Sequence, residues 1–271
     1  MKSKIHLFTI GLILFFGFTD LKAQTLLPKL QELFGSENVV FVDSTAYKEY
    51  YKINVPQPID HNDKSKGSFS NRILLGFNDS VAPVVMESGP YGFYAYQENP
   101  QYKTELTQLL NANQIIVEHR YFGESIPDST NFQYLTYRQA SEDFHSIRQL
   151  FATFFSDKWV ATGHSKGGDA VLAYKFYFPN DMKATVVYGA SLTLKAEDKQ
   201  FEKFLNEKRK TEDGKKIFEQ QMYLLKNKKR LLPIFIHHIK EIERMTEYNF
   251  GEFDAETMYD FNVLGLDILF W

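Results

Sequence analysis

Residues 159–168, WVATGHSKGG, set Ser165 between Gly163 and Gly167 where an apolar strand run passes through a turn into a helical pattern. In that context G-x-S-x-G reads as the turn of a nucleophilic serine, with a structural glycine-rich turn as the alternative. The serine backbone is strained, and a Cβ at either flanking glycine would collide with the adjoining strand or helix. The backbone N–H of Lys166 then faces the site of a developing oxyanion, and acyl transfer calls for a second such donor. The loop ESGPYGFY (87–94), which follows the run APVVMES, is its source, with Gly89, Tyr91 and Gly92 as backbone candidates. A tight turn with no part in chemistry is the alternative for that loop.

Serine attack also needs a general base and an orienting carboxylate, which follow this kind of elbow in the order Asp or Glu, then His. After Ser165 the histidines are His237 and His238, both inside an apolar helical stretch and read as core or groove residues. His145 lies on the helix that enters the elbow strand, and His119 follows the run IIVE. Both precede Ser165.

The elements that must position these groups are legible as patterns. LLPKLQELFG reads as an amphipathic helix closed by Gly35, VVFVDS as an edge strand, and 50–77 as two antiparallel strands around a polar loop at 61–67. From Pro83 onward, buried strand runs (APVVMES, NQIIVEHR, KWVATGHS, KATVVYGAS) alternate with helical stretches (KTELTQLLNAN, YRQASEDFHSIRQLFATFF), which implies a largely parallel sheet with helices on both faces. Residues 193–262 read as successive helices, KQFEKFLNEKRK, KKIFEQQMYLLKNKKR, LPIFIHHIKEIERM and the start of DAETMYDFNVLGLDILF. Residues 199–230 hold eleven Lys or Arg against five Asp or Glu, interleaved, so a solvated helical face is favoured over a patch for an anionic partner.

Composition narrows the classes further. Lys2 and Lys4 precede an apolar run at 7–18 and a small-residue cleavage point after Ala23, the layout of a secretory leader, so the chain is expected to be secreted or periplasmic with no stable membrane insertion once the leader is removed. The chain has no cysteine, which excludes thiol catalysis and zinc–thiolate sites and leaves packing alone to stabilise an exported fold. A formal net charge of −3 gives no reason to expect nucleic acid. Nothing calls for a metal or an organic cofactor, and the oligomeric state is left open.

QPIDHNDKSKGSFSNRILL, EHRYFGESIPDSTNFQYLTYRQASEDFHSIR, KWVATGHSKGGDAVLAYKFYFPND and YGASL, in that order, resemble the secreted tri- and tetrapeptidyl aminopeptidases, serine-peptidase family thirty-seven, relatives of the prolyl carboxypeptidase and dipeptidyl peptidase seven group. The likeness runs from about Pro56 to Trp271, where FNVLGLDILFW resembles a helix of that family's cap. It implies an α/β-hydrolase core with a helical cap inserted after ATVVYGA, a nucleophile at Ser165, and release of short peptides from a free N-terminus, often after proline. In that family the triad Asp and His lie beyond the cap, on the last two sheet strands. The expectation is therefore a leader at 1–23, an α/β core at 24–192 and an incomplete cap at 193–271, cut short before those two residues and the last core strands, and poorly stable alone.

Two departures accompany the likeness. ESGPYG is longer than the family's Glu-Gly-Tyr-Gly pattern, which leaves open which amide serves, and His164 stands where a small residue is common. An aminopeptidase must also hold a substrate ammonium, and Glu87 and Glu118, at the ends of their strands, are the candidates; Arg120 is an alternative partner for Glu118. A peptide-binding protein without turnover and an esterase or lipase with the same elbow are the competing functions.

Overall fold

The computed structural model describes residues 26–128, 131–191, 198–246 and 254–271, so the expected leader at 1–23 lies outside the described residues. The chain divides into two compact units, Met1–Leu192 and Thr193–Trp271.

In the first unit, α1 (Leu27–Phe34) has Pro28 in its first turn and ends at Gly35, whose φ of 88° suits a residue without a Cβ. β1 (Val39–Val42), β2 (Glu49–Pro58) and β3 (Ser68–Phe77) pair antiparallel, β1 at the sheet edge. Then come β4 (Val84–Ser88), the short helices α2 (Ala95–Glu98) and α3 (Glu105–Leu109), β5 (Asn113–Val117), α4 (Tyr137–Phe151), β6 (Trp159–His164), α5 (Lys166–Tyr177) and β7 (Ala184–Tyr188). They complete a seven-stranded sheet of order β1-β2-β3-β5-β4-β6-β7, antiparallel up to the β3–β5 pair and parallel from there on. This mixed sheet, with a strand–turn–helix elbow after β6, is the α/β-hydrolase fold.

The strand order explains where a site can form. From β4 the chain moves to β5 on one side, then crosses to β6 on the other, so the connections leaving β4 and β6 part in opposite directions. A crevice opens between their carboxyl ends, the switch point at which open α/β sheets hold ligands. It receives the 89–94 loop from β4 and Ser165 from β6.

Both faces of the central strands are covered, which is why β4 and β5 are buried at every position and read as unbroken apolar runs. One face presents Val84, Met86, Ile115, Val117, Trp159 and Ala161 to α4 (Phe144, Ile147, Phe151) and α5 (Ala170, Val171, Tyr174). The other carries a smaller cluster of Tyr47, Tyr50, Leu74 and Ile116, with Phe93 and Tyr102 packed against it. A full core side chain of this kind contributes about 1.5–3 kcal/mol.

One buried charge cluster ties the turn after β5 to α4. Arg120, 1% exposed, forks onto Asp143 through Nε and Nη2, both at 2.7 Å, and donates its remaining bonds to the carbonyls of Pro58, Ile59 and Tyr134. The His61 ring reaches the same carboxylate at 2.7 Å. Arg120 is thus engaged by Asp143, not by Glu118.

The second unit is helical: α6 (Lys199–Lys208), α7 (Glu212–Lys226), α8 (Lys228–Thr246), α9 (Ala255–Leu264) and α10 (Leu266–Phe270). The break between α7 and α8 falls at Asn227, earlier than the Leu232–Pro233 start read from the sequence, and Pro233 lies inside α8. The side chain of Asn227 caps the Tyr223 carbonyl, and α8 runs through Pro233 although its ring nitrogen cannot donate to the Lys229 carbonyl. Gly265 divides the stretch read as one helix into α9 and α10. Cations of the basic stretch pair with neighbouring carboxylates, Arg209 with Asp267 and Lys228 with Glu256 and Asp260. Among the described residues no helix is long and apolar enough to cross a membrane.

Removing Asp143 leaves a fully buried guanidinium without its counterion. Asp143→Ala is expected to lower the unfolding free energy by about 3–5 kcal/mol, measured by urea denaturation.

Candidate active site

Ser165 stands at the head of α5 with φ 50° and ψ −127°, a region that side-chain-bearing residues rarely occupy. Such a conformation costs about 1–3 kcal/mol and persists only when the surroundings dictate it. They do so here. The Ser165 N–H donates to the Tyr188 carbonyl on β7 at 2.9 Å, and its carbonyl accepts from Asp169 N at 3.1 Å, which pins the residue between sheet and helix. A Cβ on Gly163 would overlap the backbone of Gly167, and one on Gly167 would overlap the Ser88 carbonyl oxygen, so the elbow closes only with glycine at both positions. The second of these contacts also seats the start of α5 on the 88–90 backbone, which brings the elbow and the candidate oxyanion loop together.

Each oxyanion candidate can then be followed. The Lys166 N–H is in the first turn of α5, where no helical acceptor exists and the helix dipole favours negative charge. The Gly89 N–H is spent on the Val117 carbonyl at 2.9 Å, and Pro90 has no N–H. The amides of Tyr91 and Gly92 have no acceptor among the described residues, which narrows the second donor to these two.

Glu118 is fully buried and every acceptor site on it is occupied. Oε1 accepts from Arg72 Nη2 at 2.7 Å and Phe93 N at 3.1 Å; Oε2 accepts from Arg72 Nε at 3.3 Å, Glu124 N at 3.0 Å and Ser125 Oγ at 2.8 Å. Gly92 and Gly123 pack over this carboxylate, where a Cβ on Gly123 would collide with it. Glu118 therefore joins the 91–94 loop to the 118–125 turn, and no lone pair is left for a substrate ammonium. Its partner Arg72 lies 46 residues away in the chain, so no spacing rule could have revealed the pair.

Glu87, 2% exposed, points into the tyrosine-rich face: Oε1 accepts from Gln97 Nε2 at 3.1 Å, and Oε2 has no partner among the described residues. Burial raises its pKa from the ordinary 4.5 to about 7, with Gln97 pulling weakly the other way.

The side chain of Lys166 was not singled out by the sequence pattern. Its Nζ is buried without a hydrogen-bond partner among the described residues and lies over two ring faces, 4.8 Å from Phe122 and 5.5 Å from Tyr91. Burial lowers the ammonium to about 8, while Asp169 acts in the opposite sense. The Phe122 ring also meets His119 edge-on at 5.7 Å. His119 Nδ1 lies 2.9 Å from the Arg120 carbonyl, which can only accept, so the proton sits there and Nε2 is left a bare, unpartnered acceptor. Burial and the Lys166 charge push its pKa down to about 4.

The other histidines are committed elsewhere. His145 bonds Asp181 at 2.7 Å, and that carboxylate also takes the Tyr174 hydroxyl near the carboxyl end of α5. Ser165 is at the opposite end of this helix, about 1.5 Å per residue away along its length, so the dyad is out of its reach. His164 is exposed and stacks on Tyr188 at 4.7 Å. His237 and His238 belong to α8 of the second unit. No group of three or more His, Asp or Glu among the described residues is arranged to hold a metal ion.

Two substitutions probe this geometry. Gly167→Ala is expected to destabilise the fold by about 1–3 kcal/mol through backbone overlap with Ser88, read by thermal or urea melting. For Glu87, the folded state keeps a proton that the unfolded state releases above 4.5, so stability falls as pH rises from 4.5 to about 7. Melting temperatures across that interval should lose this slope in Glu87→Gln.

The PS-10 peptidase S37 family matches residues 22–241 of the chain. A prolyl tri/tetrapeptidyl aminopeptidase of Streptomyces mobaraensis is 32% identical over 167 residues, covering 60% of this chain and 34% of that protein. A lysosomal Pro-X carboxypeptidase of Mus musculus is 25% identical over 187 residues, covering 62% of this chain and 38% of that protein. The chain thus spans about a third of the length of these curated relatives. Among solved structures, an acetyl xylan esterase from Paenibacillus sp. R4 aligns with TM-score 0.39 and 15% identity, over 60% of this chain and 58% of that one. With the family match running through the β4 loop, the Glu118 turn and the Ser165 elbow into the helical unit, the chain belongs to the PS-10 peptidase S37 family of serine peptidases.

Proposed function

We propose that Ser165 is the nucleophile of a peptidase that releases short peptides from a free N-terminus, with the Lys166 amide and the amide of Tyr91 or Gly92 as its oxyanion site. The observation that carries this reading is the backbone of Ser165, held at φ 50° at the head of α5 while the 88–90 backbone packs on Gly167. Attack by Oγ on a scissile carbonyl at that position directs the new oxyanion toward the Lys166 N–H. The peptide substrate and the preference for a free amino group come from the likeness to the Streptomyces enzyme. Of the two carboxylates considered for the substrate ammonium, Glu87 retains an unpartnered oxygen, whereas Glu118 has none to spare. Export through a leader cleaved after Ala23 and a cap role for residues 193–271 belong to the same proposal.

A second reading, peptide binding without turnover, has one observation in its favour. Among the described residues no histidine is hydrogen-bonded to Ser165, and the serine needs a base to become a nucleophile.

A fluorophosphonate probe separates the two. Labelling that maps to Ser165 and vanishes in Ser165→Ala supports the peptidase, whereas absent labelling with retained binding of tripeptides supports the silent binder. Hydrolysis of a tripeptidyl anilide with a free amine should exceed that of its N-acetylated form by about tenfold or more. The reverse preference, for simple acyl esters, would instead identify an esterase. Glu87→Gln is expected to raise KM for the free-amine substrate alone.

A further inference from the structure

We propose that the side chain of Lys166 is a positioning residue of the oxyanion site: its cation, stacked on Tyr91 and Phe122, holds the 91–92 amides in register with the Lys166 amide itself. This rests on the reading of Ser165 given above, and it assigns Lys166 a second role beyond its backbone N–H.

The geometry sets Lys166 apart from an ordinary surface lysine. A desolvated ammonium ordinarily finds a carboxylate or carbonyl, because a buried charge without partners is costly. Nζ of Lys166 hydrogen-bonds to neither among the described residues; beside the charge of Asp169, two aromatic faces within 6 Å stabilise it. Cation–π attraction strengthens when water is excluded. The two rings belong to different segments, Tyr91 to the loop after β4 and Phe122 to the turn after β5, and they meet each other edge-to-face at 5.1 Å. One ammonium therefore spans both.

Tyr91 needs such a hold. The backbone contact of Gly167 fixes the loop only as far as residue 90, and the Glu118 carboxylate takes it up again at Phe93 N, 3.1 Å away. Between them, residues 91 and 92 carry the free amides. Among the described residues the one backbone tie on this stretch is the Tyr91 carbonyl, which accepts from His119 N at a long 3.3 Å. The Tyr91 ring is 45% exposed and would be free to swing if nothing lay beneath it. Lys166, anchored by the helix that carries Ser165, lies against that ring and couples the loop to the nucleophile. Phe122 in turn is backed by the His119 ring.

The test compares the wild-type chain with Lys166→Met, which keeps the length and loses the charge, and Lys166→Arg, which keeps a cation able to stack. Amide hydrogen exchange at His119 and Phe93, whose N–H groups report the position of the 91–93 segment, should accelerate by about tenfold in Lys166→Met and remain near wild type in Lys166→Arg. Fluorophosphonate labelling of Ser165 should fall in the first variant and recover in the second. Unchanged exchange in Lys166→Met, or equal acceleration in both variants, overturns the proposal whatever the labelling does. If wild-type Ser165 does not label at all, the nucleophile reading fails while exchange still decides the clamp. Should Lys166→Met not fold, the wild-type chain suffices: the Lys166 ε-methylene protons should resonate upfield of other lysines because of the two rings, and an undisplaced signal overturns the proposal.

Discussion

The contact between Gly167 and the Ser88 carbonyl is the constraint on which the site depends. It lets the first turn of α5 press against the chain leaving β4, and the short space it requires is available only where a side chain is missing. That approach closes the strand–helix turn around Ser165 tightly enough to hold a positive φ in a serine, and it packs the start of α5 on the 88–90 backbone. The strain at Ser165 is balanced by bonds to Tyr188 and Asp169 and by the packing of α5 on Trp159, Ala161 and Phe144. A stiff hydrophobic sheet thus supports one unfavourable backbone conformation at its carboxyl edge.

Two buried charge pairs extend this order to the loops. Glu118 and Arg120 are neighbours but one in the chain, and they serve opposite sides of the same turn: the carboxylate gathers Arg72, Phe93 and Ser125, and the guanidinium gathers Asp143 and three carbonyls. Desolvating such ions is expensive, and a pair of this kind contributes little net stability compared with apolar packing. What it does supply is direction. Each bond has a defined length and angle, so the turn from 118 to 125 has one position, and the aromatic surface of Phe122 with it. Lys166 lies on that surface, which joins the charge-held turn to the glycine-held elbow.

Much of the architecture was legible because local chemistry and burial pattern agree. Gly35 ends α1, the alternation at 49–77 gives an antiparallel pair, and the unbroken apolar runs after Pro83 become the parallel strands. The helix boundaries in the second unit were less so. The start read at Leu232 is not where the chain breaks: Asn227 makes the break with its own side-chain cap, and α8 continues through Pro233. Arg120 as a partner for Glu118 was a natural inference from two residues of separation, yet in an extended turn those side chains diverge to different networks.

By itself the sequence determined the elbow and the sheet that presents it, since glycine spacing, strand runs and helical periodicity are properties of a few adjacent residues. It also determined that Ser165 has the Lys166 amide beside it. Tertiary structure alone decided which loop amides remain free, that Glu118 is saturated by a strand residue far away in the chain, and that the Lys166 cation rests on Tyr91 and Phe122. The reason is physical: free amides, filled carboxylates and stacked cations depend on what the rest of the chain brings within a few ångströms. Those distances arise only when the β4, β5 and β6 ends converge on one edge of the sheet.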